Sequence, residues 1–295
     1  MQAIINALTS GSIYLLFALG MSVAWGTIGV LNFAHGAVFM FTAFILYLVT
    51  ASVPLSLPML LILGAVIGAV LSAATQLLVF EPIQRRAPDA HRAELQILVG
   101  GIGVASILLA LAQRSTQSVP FGFPPTTMSV TSYQVLGAQI TNIQLLILVF
   151  AVLLAGGVGY WLSSSRIGLG LRGIGVDPEV ATMMGIDRRR LARGTMAIAG
   201  AMAGVAGVLL TLNLGSIVPE TGDVFLLKGF AAIVLGGVGT VRGTALGAFV
   251  LAGAETALIT TTSGQWVDAI AFALIFAMLL FRPRGLLGQK EVRRT

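Results

Sequence analysis

Hydrophobic runs about as long as a bilayer is thick repeat from one end of the chain to the other, separated by short polar links. The runs fall near residues 4–26, 33–50, 58–80, 95–112, 142–162, 191–212, 224–241, 242–260 and 265–281. They are continuous, whereas the strands of a membrane barrel alternate apolar and polar residues. The pattern therefore predicts an all-α, polytopic integral membrane protein with eight or nine transmembrane helices.

Two links leave the number of crossings open. TIGVLN at 27–32 has no charged residue, and GGVGTVRG at 236–243 is rich in glycine. Each could be a tight turn, or could be unwound backbone at membrane depth, which is tolerated only where protein or a water-filled cavity surrounds it. The prediction therefore allows for broken or half helices.

Composition supports the membrane class and narrows the partners. Apolar residues make up 57% of the chain and charged residues only 9%, which is more apolar surface than a water-soluble core could bury. The net charge of +6 could suggest nucleic acid, but the basic residues lie in short links, where they report orientation. We expect a lipid bilayer and no nucleic acid as partner. The absence of cysteine excludes disulfides and thiolate metal sites.

The first apolar run has no basic region before it, so we expect it to be retained as a helix.

The basic residues predict an orientation. Links at 81–94, 166–193, 242 and 282–295 together hold 15 of the 17 Lys and Arg residues. By the positive-inside rule these links are cytoplasmic. Nine crossings then fit an outside N-terminus and a cytoplasmic C-terminus.

The predicted organisation is a single transmembrane domain over residues 1–295, with a cytoplasmic loop at 166–193 and an outer loop at 113–141. The outer loop is rich in Pro, Ser and Thr, which favours extended backbone or short strands. A plain connector and a docking surface fit this loop equally well.

The cytoplasmic loop contains signals for a short helix of its own. In VDPEVATMMGID, Asp177 suits the N-cap, Pro178 the first helical position and Glu179 the first turn, while Gly185 suits a left-handed C-cap. Two helical turns do not persist alone in water, so the membrane surface, the rest of the chain or a partner must hold them.

The side chains of this short helix favour a protein groove over lipid. Ala181 is small, and Met183 and Met184 are flexible, which lets methionine fill irregular pockets. A helix lying on the membrane surface would instead need a basic face and bulky apolar anchors. A cytoplasmic helix between two membrane helices is what a permease needs to receive force from an ATPase.

Five segments carry a family resemblance: GVLNFAHGAVFM at 29–40, SRIGLGLRGIGVDPEVATMMGID at 165–187, AMAGVAGVLL at 201–210, LKGFAAIVLGGVGTVRGTALGAFVLAGAE at 227–255 and FRPRGLLG at 281–288. They resemble the LivH-type permeases, one of the two membrane subunits of the branched-chain amino acid ABC importers, in a family that also includes urea and amide transporters. The resemblance covers nearly the whole chain. It departs in the short outer segment after Arg114 and at Ala37, where relatives often carry an acidic residue.

The resemblance implies a transport subunit of the bacterial inner (cytoplasmic) membrane that is itself no enzyme and holds no cofactor. It implies two cytoplasmic ABC ATPase subunits, a second related permease, identical or different, and a soluble substrate-binding protein. The ATPase-coupling residues are then Asp177, Pro178, Glu179, Ala181, Met183, Met184 and Gly185. Branched-chain amino acids are the implied substrates, although relatives carry urea, short amides or aromatic acids.

Two polar residues at the start of the second apolar run are candidates for the translocation pathway. In NFAHG, Asn32 is placed to cap the helix and His35 to follow within it. A buried histidine can be a packing element held by hydrogen bonds, or part of a pathway or gate. Both interpretations stay open.

Lys228 and Glu255 are the charges that the pattern places deepest in apolar runs. Neighbouring antiparallel helices would bring them to a similar depth, about 6–8 Å below the outer boundary. We expect an ion pair between the two helices, because an unpaired charge there is costly. Recognition of a charged substrate is the alternative.

Gly236, Gly237 and Gly239 are also candidates for the pathway. They could open the backbone so that its carbonyls or amides line the route, or permit a tight turn.

Other functions find less support in the sequence. An ion-coupled secondary transporter is the main alternative, but such carriers place charged relays near mid-membrane. A protease using Ser10 or Ser12 with His35 lacks any serine motif, and no filter-like repeat indicates a channel. GLGLRG at 168–173 matches the glycine spacing of dinucleotide sites but does not follow a strand, and the chain has no GxxxxGK[ST] phosphate-binding loop.

Overall fold

The computed structural model describes residues 1–125, 127, 129–135, 137–176, 178–237, 239–261, 267–282 and 285–287. These residues form α-helices, one π-helical turn and one two-stranded antiparallel hairpin. The helices are α1 (Gln2–Ile28), α2 (Ala34–Thr50), α3 (Leu57–Thr75), α4 (Glu81–Arg86), α5 (Ala90–Thr116), α6 (Asn142–Ser164), α7 (Arg166–Val176), α8 (Pro178–Met183), α9 (Arg188–Leu214), α10 (Thr221–Gly236), α11 (Val241–Thr261) and α12 (Val267–Phe281). The strands are β1 (Ser132–Val135) and β2 (Ala138–Thr141).

The predicted class of helical, polytopic membrane protein is confirmed. Six stretches are long and apolar enough to cross a bilayer: Gln2–Ile28, Leu57–Arg86, His91–Thr116, Asn142–Ser164, Arg188–Leu214 and Val241–Thr261. The apolar helix Ala34–Thr50 is shorter. The number of crossings and the orientation stay predictions.

Helix α3 continues past its predicted end. A π-helical turn at Gln76–Phe80 joins it to α4, so that one stretch runs over 57–86, where the hydrophobic pattern predicts an end near 80. The pattern stops where charged residues begin, but Glu81 and the arginines after it extend the same helix. Single π turns inside α-helices are uncommon and are frequent at functional sites.

Helices α1 and α9 lie at the centre of the bundle, whereas α5 and α6 show wide apolar faces to the outside. A bilayer covers such faces, since hydrocarbon is as apolar as they are. The end of the bundle where α9 begins is called the basic end here, because it carries Arg85, Arg188 and Arg193. The opposite end, which carries β1 and β2, is called the hairpin end.

Helices α3 and α9 touch through their glycines. A Cβ atom at Gly68 would meet the carbonyl of Gly200, and one at Gly204 would meet the carbonyl of Gly64. Small residues let membrane helices approach each other this closely. The two backbones come close together over the turn from Gly64 to Gly68 of α3 and the turn from Gly200 to Gly204 of α9.

Two helices begin deep inside the bundle. In α2, His35 lies beside Phe17, which is about 22 Å from the start of α1 and about 16 Å from its end at 1.5 Å per residue. In α10, Gly222 lies against Gly36, so closely that a Cβ on Gly36 would meet the Gly222 carbonyl. The first turns of α2 and α10 therefore meet in the interior.

Irregular backbone leads into both of these helices. Gly29, with φ +81°, ends α1, and the chain runs back inward over 29–33. Before α10, Ile217 and Phe121 exchange two backbone hydrogen bonds of 2.9 Å. This pairing satisfies backbone groups that lipid could not.

Candidate functional site

The short helix that the sequence predicts within residues 166–193 is present as α8, Pro178–Met183. It ends as predicted, because Gly185 takes the left-handed conformation with φ +86°. Backbone N–H groups of Met184 and Gly185 donate to Val180 and Thr182. Asp177 lies outside the described residues, and so do the side chains of Pro178 and Glu179.

Helix α8 has an inner and an outer face. Ala181 is 5% exposed and its backbone carbonyl accepts from the N–H of Ile186. Its Cβ faces Gly173 of α7. Met183 and Met184 are 86% and 79% exposed. Part of the support that so short a helix needs therefore comes from α7 of the same chain, while the methionines stay available to a partner.

The segment after α8 leads directly into the centre of the bundle. Asp187 caps α9 by accepting from the backbone N–H groups of Arg189 and Arg190, at 3.0 and 3.2 Å. Arg188 donates from Nε to the carbonyl of Thr27 at the end of α1, at 3.3 Å. A displacement of α8 would therefore reach α9 and α1 through this segment, as well as α7, on which Ala181 packs.

A buried carboxylate joins α4 to α9 at the basic end. The guanidinium of Arg193 donates from Nε to Glu81 Oε2 at 2.9 Å and from a terminal nitrogen to Oε1 at 2.7 Å. Arg85 also pairs with Glu81. The Glu81 side chain is 4% exposed, but those of Arg193 and Arg85 are 42% and 53% exposed. We call these three residues the basic-end cluster.

His35 and Asn32 both lie in the interior. The N-cap of α2 is Phe33, one residue later than the predicted Asn32, although the Asn32 side chain still accepts from the backbone N–H of Ala34 at 3.0 Å. His35 is fully buried, with Nε2 at 3.2 Å from the Phe17 carbonyl. Its Nδ1 has no hydrogen-bond partner among the described residues. Within that same part of the chain it bonds neither Ser10 nor Ser12, the serines that a protease would use.

A cavity of about 200 Å³ lies beside the paired starts of α2 and α10. Its wall is formed mainly by Phe33, Ile102, Ser106, Leu109, Asp223 and Leu226. Gly101 of α5 faces the same helix start, since a Cβ there would lie 3.3 Å from the backbone nitrogen of Phe33. A pathway candidate thus lies next to the NFAHG segment.

Lys228 and Glu255 lie together, as the sequence leads us to expect. They lie deeper than the predicted 6–8 Å, because α10 begins inside the bundle and their partner Tyr14 is about 18 Å from the start of α1 at 1.5 Å per residue. Lys228 Nζ is 3.1 Å from Glu255 Oε1 and 3.2 Å from Oε2, and the two side chains are 12% and 5% exposed. The hydroxyl of Tyr14 donates to Glu255 Oε2 at 2.6 Å and accepts from Lys228 at 3.1 Å. Helices α1, α10 and α11 therefore meet at one polar group, which we call the three-helix cluster.

The glycines after α10 form a tight turn. Gly237 and Gly239 have φ of +105° and +81°, which only glycine adopts readily. Leu286 and Leu287 donate backbone N–H groups to the carbonyls of Leu235 and Gly236, at 2.8 and 3.0 Å. The geometry is that of a turn covered by the segment near the C-terminus, and a pathway role for these glycines stays a prediction.

Sequence reasoning missed three of these residues. Glu81 stands at the end of an apolar run and was counted only as part of a charged link, although its burial depends on the continued helix. Tyr14 is one of many aromatic residues in apolar runs. Asp223 falls just before the apolar run at 224–241, and the pattern does not show that α10 begins inside the bundle.

Long apolar helices, a short exposed helix between two of them and a cavity beside two helices that begin inside the bundle are typical of the membrane subunit of a transport system. The model of the family described as branched-chain amino acid transport system, permease component, matches residues 3–279. No solved structure matches the chain.

Three relatives match along their whole length. The branched-chain amino acid permease protein BraD of Pseudomonas aeruginosa is 31% identical over 100% of this chain and 98% of its own. The LivH permease proteins of Escherichia coli K12 and Salmonella typhimurium are each 31% identical over 100% of this chain and 97% of theirs. The chain belongs to the family of permease components of branched-chain amino acid transport systems. With its apolar spans, it is a multi-pass protein of the inner membrane.

Proposed function

We propose that the chain is one permease subunit of an ATP-binding-cassette importer that moves branched-chain amino acids, or similar small polar solutes, into the cytoplasm. Two cytoplasmic ATPase subunits would supply the energy and a second related permease would complete the pore. A soluble binding protein would deliver the substrate. The names of BraD and LivH as branched-chain amino acid permeases support this substrate class. The chain itself would catalyse no covalent step.

One observation carries the proposal: α8 shows Met183 and Met184 to the outside while Ala181 holds it to the chain. Adaptable methionines on a short supported helix suit a groove on a partner protein. The residues 177–185 would be the coupling element, and the loop 166–193 would lie in the cytoplasm.

The proposed topology has nine crossings, an outside N-terminus and a cytoplasmic C-terminus, within one transmembrane domain over 1–295. The basic end, with α8, would face the cytoplasm, since its arginines satisfy the positive-inside rule. The hairpin end, within the loop 113–141, would face outward. Helices α2 and α10 would cross only part of the bilayer, and their starts would meet near its middle, as half helices do in other transporters.

Uptake by the reconstituted complex tests the function. Proteoliposomes that contain the permease pair and the ATPases, with binding protein outside, should accumulate leucine only when ATP is enclosed. Changing Met183 and Met184 to Asp should abolish uptake and release the ATPases while leaving the thermal midpoint of the permease unchanged, because both side chains are exposed. Uptake driven by a proton or sodium gradient without ATPase would instead support a secondary transporter.

A further inference from the structure

The cavity beside the starts of α2 and α10 is open to the outside of the chain, since Ile102, Ser106 and Asp223 in its wall are exposed, and it contains one carboxylate. Asp223 lies in the first turn of α10 and lines the cavity with an exposed side chain. Among the described residues its carboxylate makes no side-chain hydrogen bond and no ion pair.

Neighbouring charged groups are engaged elsewhere. Glu220, three residues earlier, accepts from the Gln113 amide at 2.6 Å. Lys228, further along the same helix, pairs with Glu255 in the three-helix cluster. The charge of Asp223 is therefore left for whatever enters the cavity.

The rest of the wall is mostly apolar. Ile102 and Leu109 of α5 face Leu226 of α10 and Phe33 of the link before α2, and Ser106 adds one hydroxyl. A cavity of about 200 Å³ with this lining suits a small molecule that has one cationic group and an aliphatic body. An aliphatic amino acid has both.

We propose that this cavity is a substrate subsite, in which Asp223 binds the ammonium group of an aliphatic amino acid while Ile102, Leu109 and Leu226 contact its side chain. The subsite rests on the proposed transport function and adds a step at which the permease itself selects its substrate. Deaminated analogues of the same shape would lack the group that Asp223 recognises.

The rate at which an introduced cysteine is modified tests this subsite directly, since the chain has no cysteine of its own. In membrane vesicles carrying the full chain, Ser106→Cys should react faster with a cationic methanethiosulfonate than with an anionic one. Asp223→Asn should lower that ratio of rates about tenfold, as expected for removal of one nearby charge. Glu220→Gln is the matched control, because Glu220 starts the same helix but lies outside the cavity wall, and it should leave the ratio within about twofold.

Protection identifies the occupant. Millimolar leucine and 3-methylbutylamine should slow the modification of Ser106→Cys, whereas 4-methylpentanoate, which lacks the ammonium group, should not. Asp223→Asn should remove the protection by leucine. Equal protection by all three compounds, or a ratio of rates that Asp223→Asn leaves unchanged, would overturn the subsite.

Failure of the subsite and failure of the function give different results. If the wild-type complex accumulates leucine with ATP but Asp223→Asn transports it at the wild-type rate, the subsite is wrong and the transport function stands. If the wild-type complex accumulates no amino acid while leucine still protects Ser106→Cys, the cavity binds its ligand and the proposed transport function is wrong.

Discussion

Two glutamates are buried in the bundle, and they are held in different surroundings. Glu255 lies in the three-helix cluster, where its partners Lys228 and Tyr14 are nearly as buried as itself. Glu81 lies in the basic-end cluster, where its partners Arg85 and Arg193 keep about half of their side chains in contact with the surroundings. A partner that water can reach is rehydrated when its pair is broken, but one enclosed in protein is not.

We infer from this difference that the three-helix cluster holds its helices in place, whereas the basic-end cluster allows its helices to shift. The three-helix cluster connects α1, α10 and α11 through buried groups. Water cannot hydrate these groups when their contacts break, so separating the three helices is costly. The basic-end cluster ties α4 to α9 next to the segment that leads from α8. Its arginines can exchange the carboxylate for water or headgroups at lower cost, which suits a place where helices shift against each other.

The largest effect is expected for Lys228→Met. It leaves the Glu255 carboxylate buried with Tyr14 as its remaining partner, so the free energy of unfolding should fall by about 3–5 kcal/mol. Unfolding by SDS in mixed micelles measures this. Adding Glu255→Gln should recover most of the loss, because no buried charge remains, and a double variant as unstable as the single one would rule out the pair as the cause.

Tyr14→Phe should have an intermediate effect. It removes the hydroxyl that donates to Glu255 at 2.6 Å, and a hydrogen bond to a charged group contributes about 1.5–3 kcal/mol. The same SDS titration should show a smaller loss than that of Lys228→Met. Tyr133→Phe at the exposed hairpin is the control, and it should leave the free energy of unfolding unchanged. A Tyr14→Phe protein as stable as wild type would reduce the cluster to a simple ion pair.

Glu81→Gln should destabilise the protein less than Lys228→Met does, because Arg193 and Arg85 can be hydrated once the carboxylate charge is gone. Its larger effect should be on coupling, seen as ATP hydrolysed per leucine transported. Exchanging the charges with Glu81→Arg and Arg193→Glu together should restore part of that ratio. If Glu81→Gln keeps the wild-type ratio, the cluster only holds the fold.

The smallest contrast is the response to salt. Raising the ionic strength from about 0.1 M to about 1 M shortens the screening length from about 10 Å to about 3 Å. Salt should screen the exposed basic-end cluster more than the buried three-helix cluster. Lys228→Met keeps only the basic-end cluster intact, so its thermal midpoint should fall more with salt than that of Glu81→Gln, which keeps only the three-helix cluster. Equal salt responses would show that the two clusters are equally enclosed.

The helices themselves could be predicted from sequence because lipid requires long apolar runs, and α8 could be predicted from the residues around Pro178 and Gly185. The pairing of Lys228 with Glu255 could also be anticipated, since unpaired charge at that depth is costly. What sequence could not show is depth. The residues around Asn32 and Thr221 do not indicate that α2 and α10 begin inside the bundle. The position of these helix starts depends on the contact between Gly36 and Gly222, which lie far apart in the chain.

A cysteine substitution at Met183 tests most directly the claim that α8 couples the permease to the ATPase. In the complete transport complex, Met183→Cys on α8 should form a disulfide with a cysteine in the facing groove of the ATPase, and its yield should change when ATP binds. Met59→Cys, a half-exposed methionine at the hairpin end, should form none. The account predicts that locking the Met183→Cys disulfide stops leucine uptake and that reduction restores it. Full uptake with the disulfide formed, or capture of the ATPase by Met59→Cys instead, would contradict it.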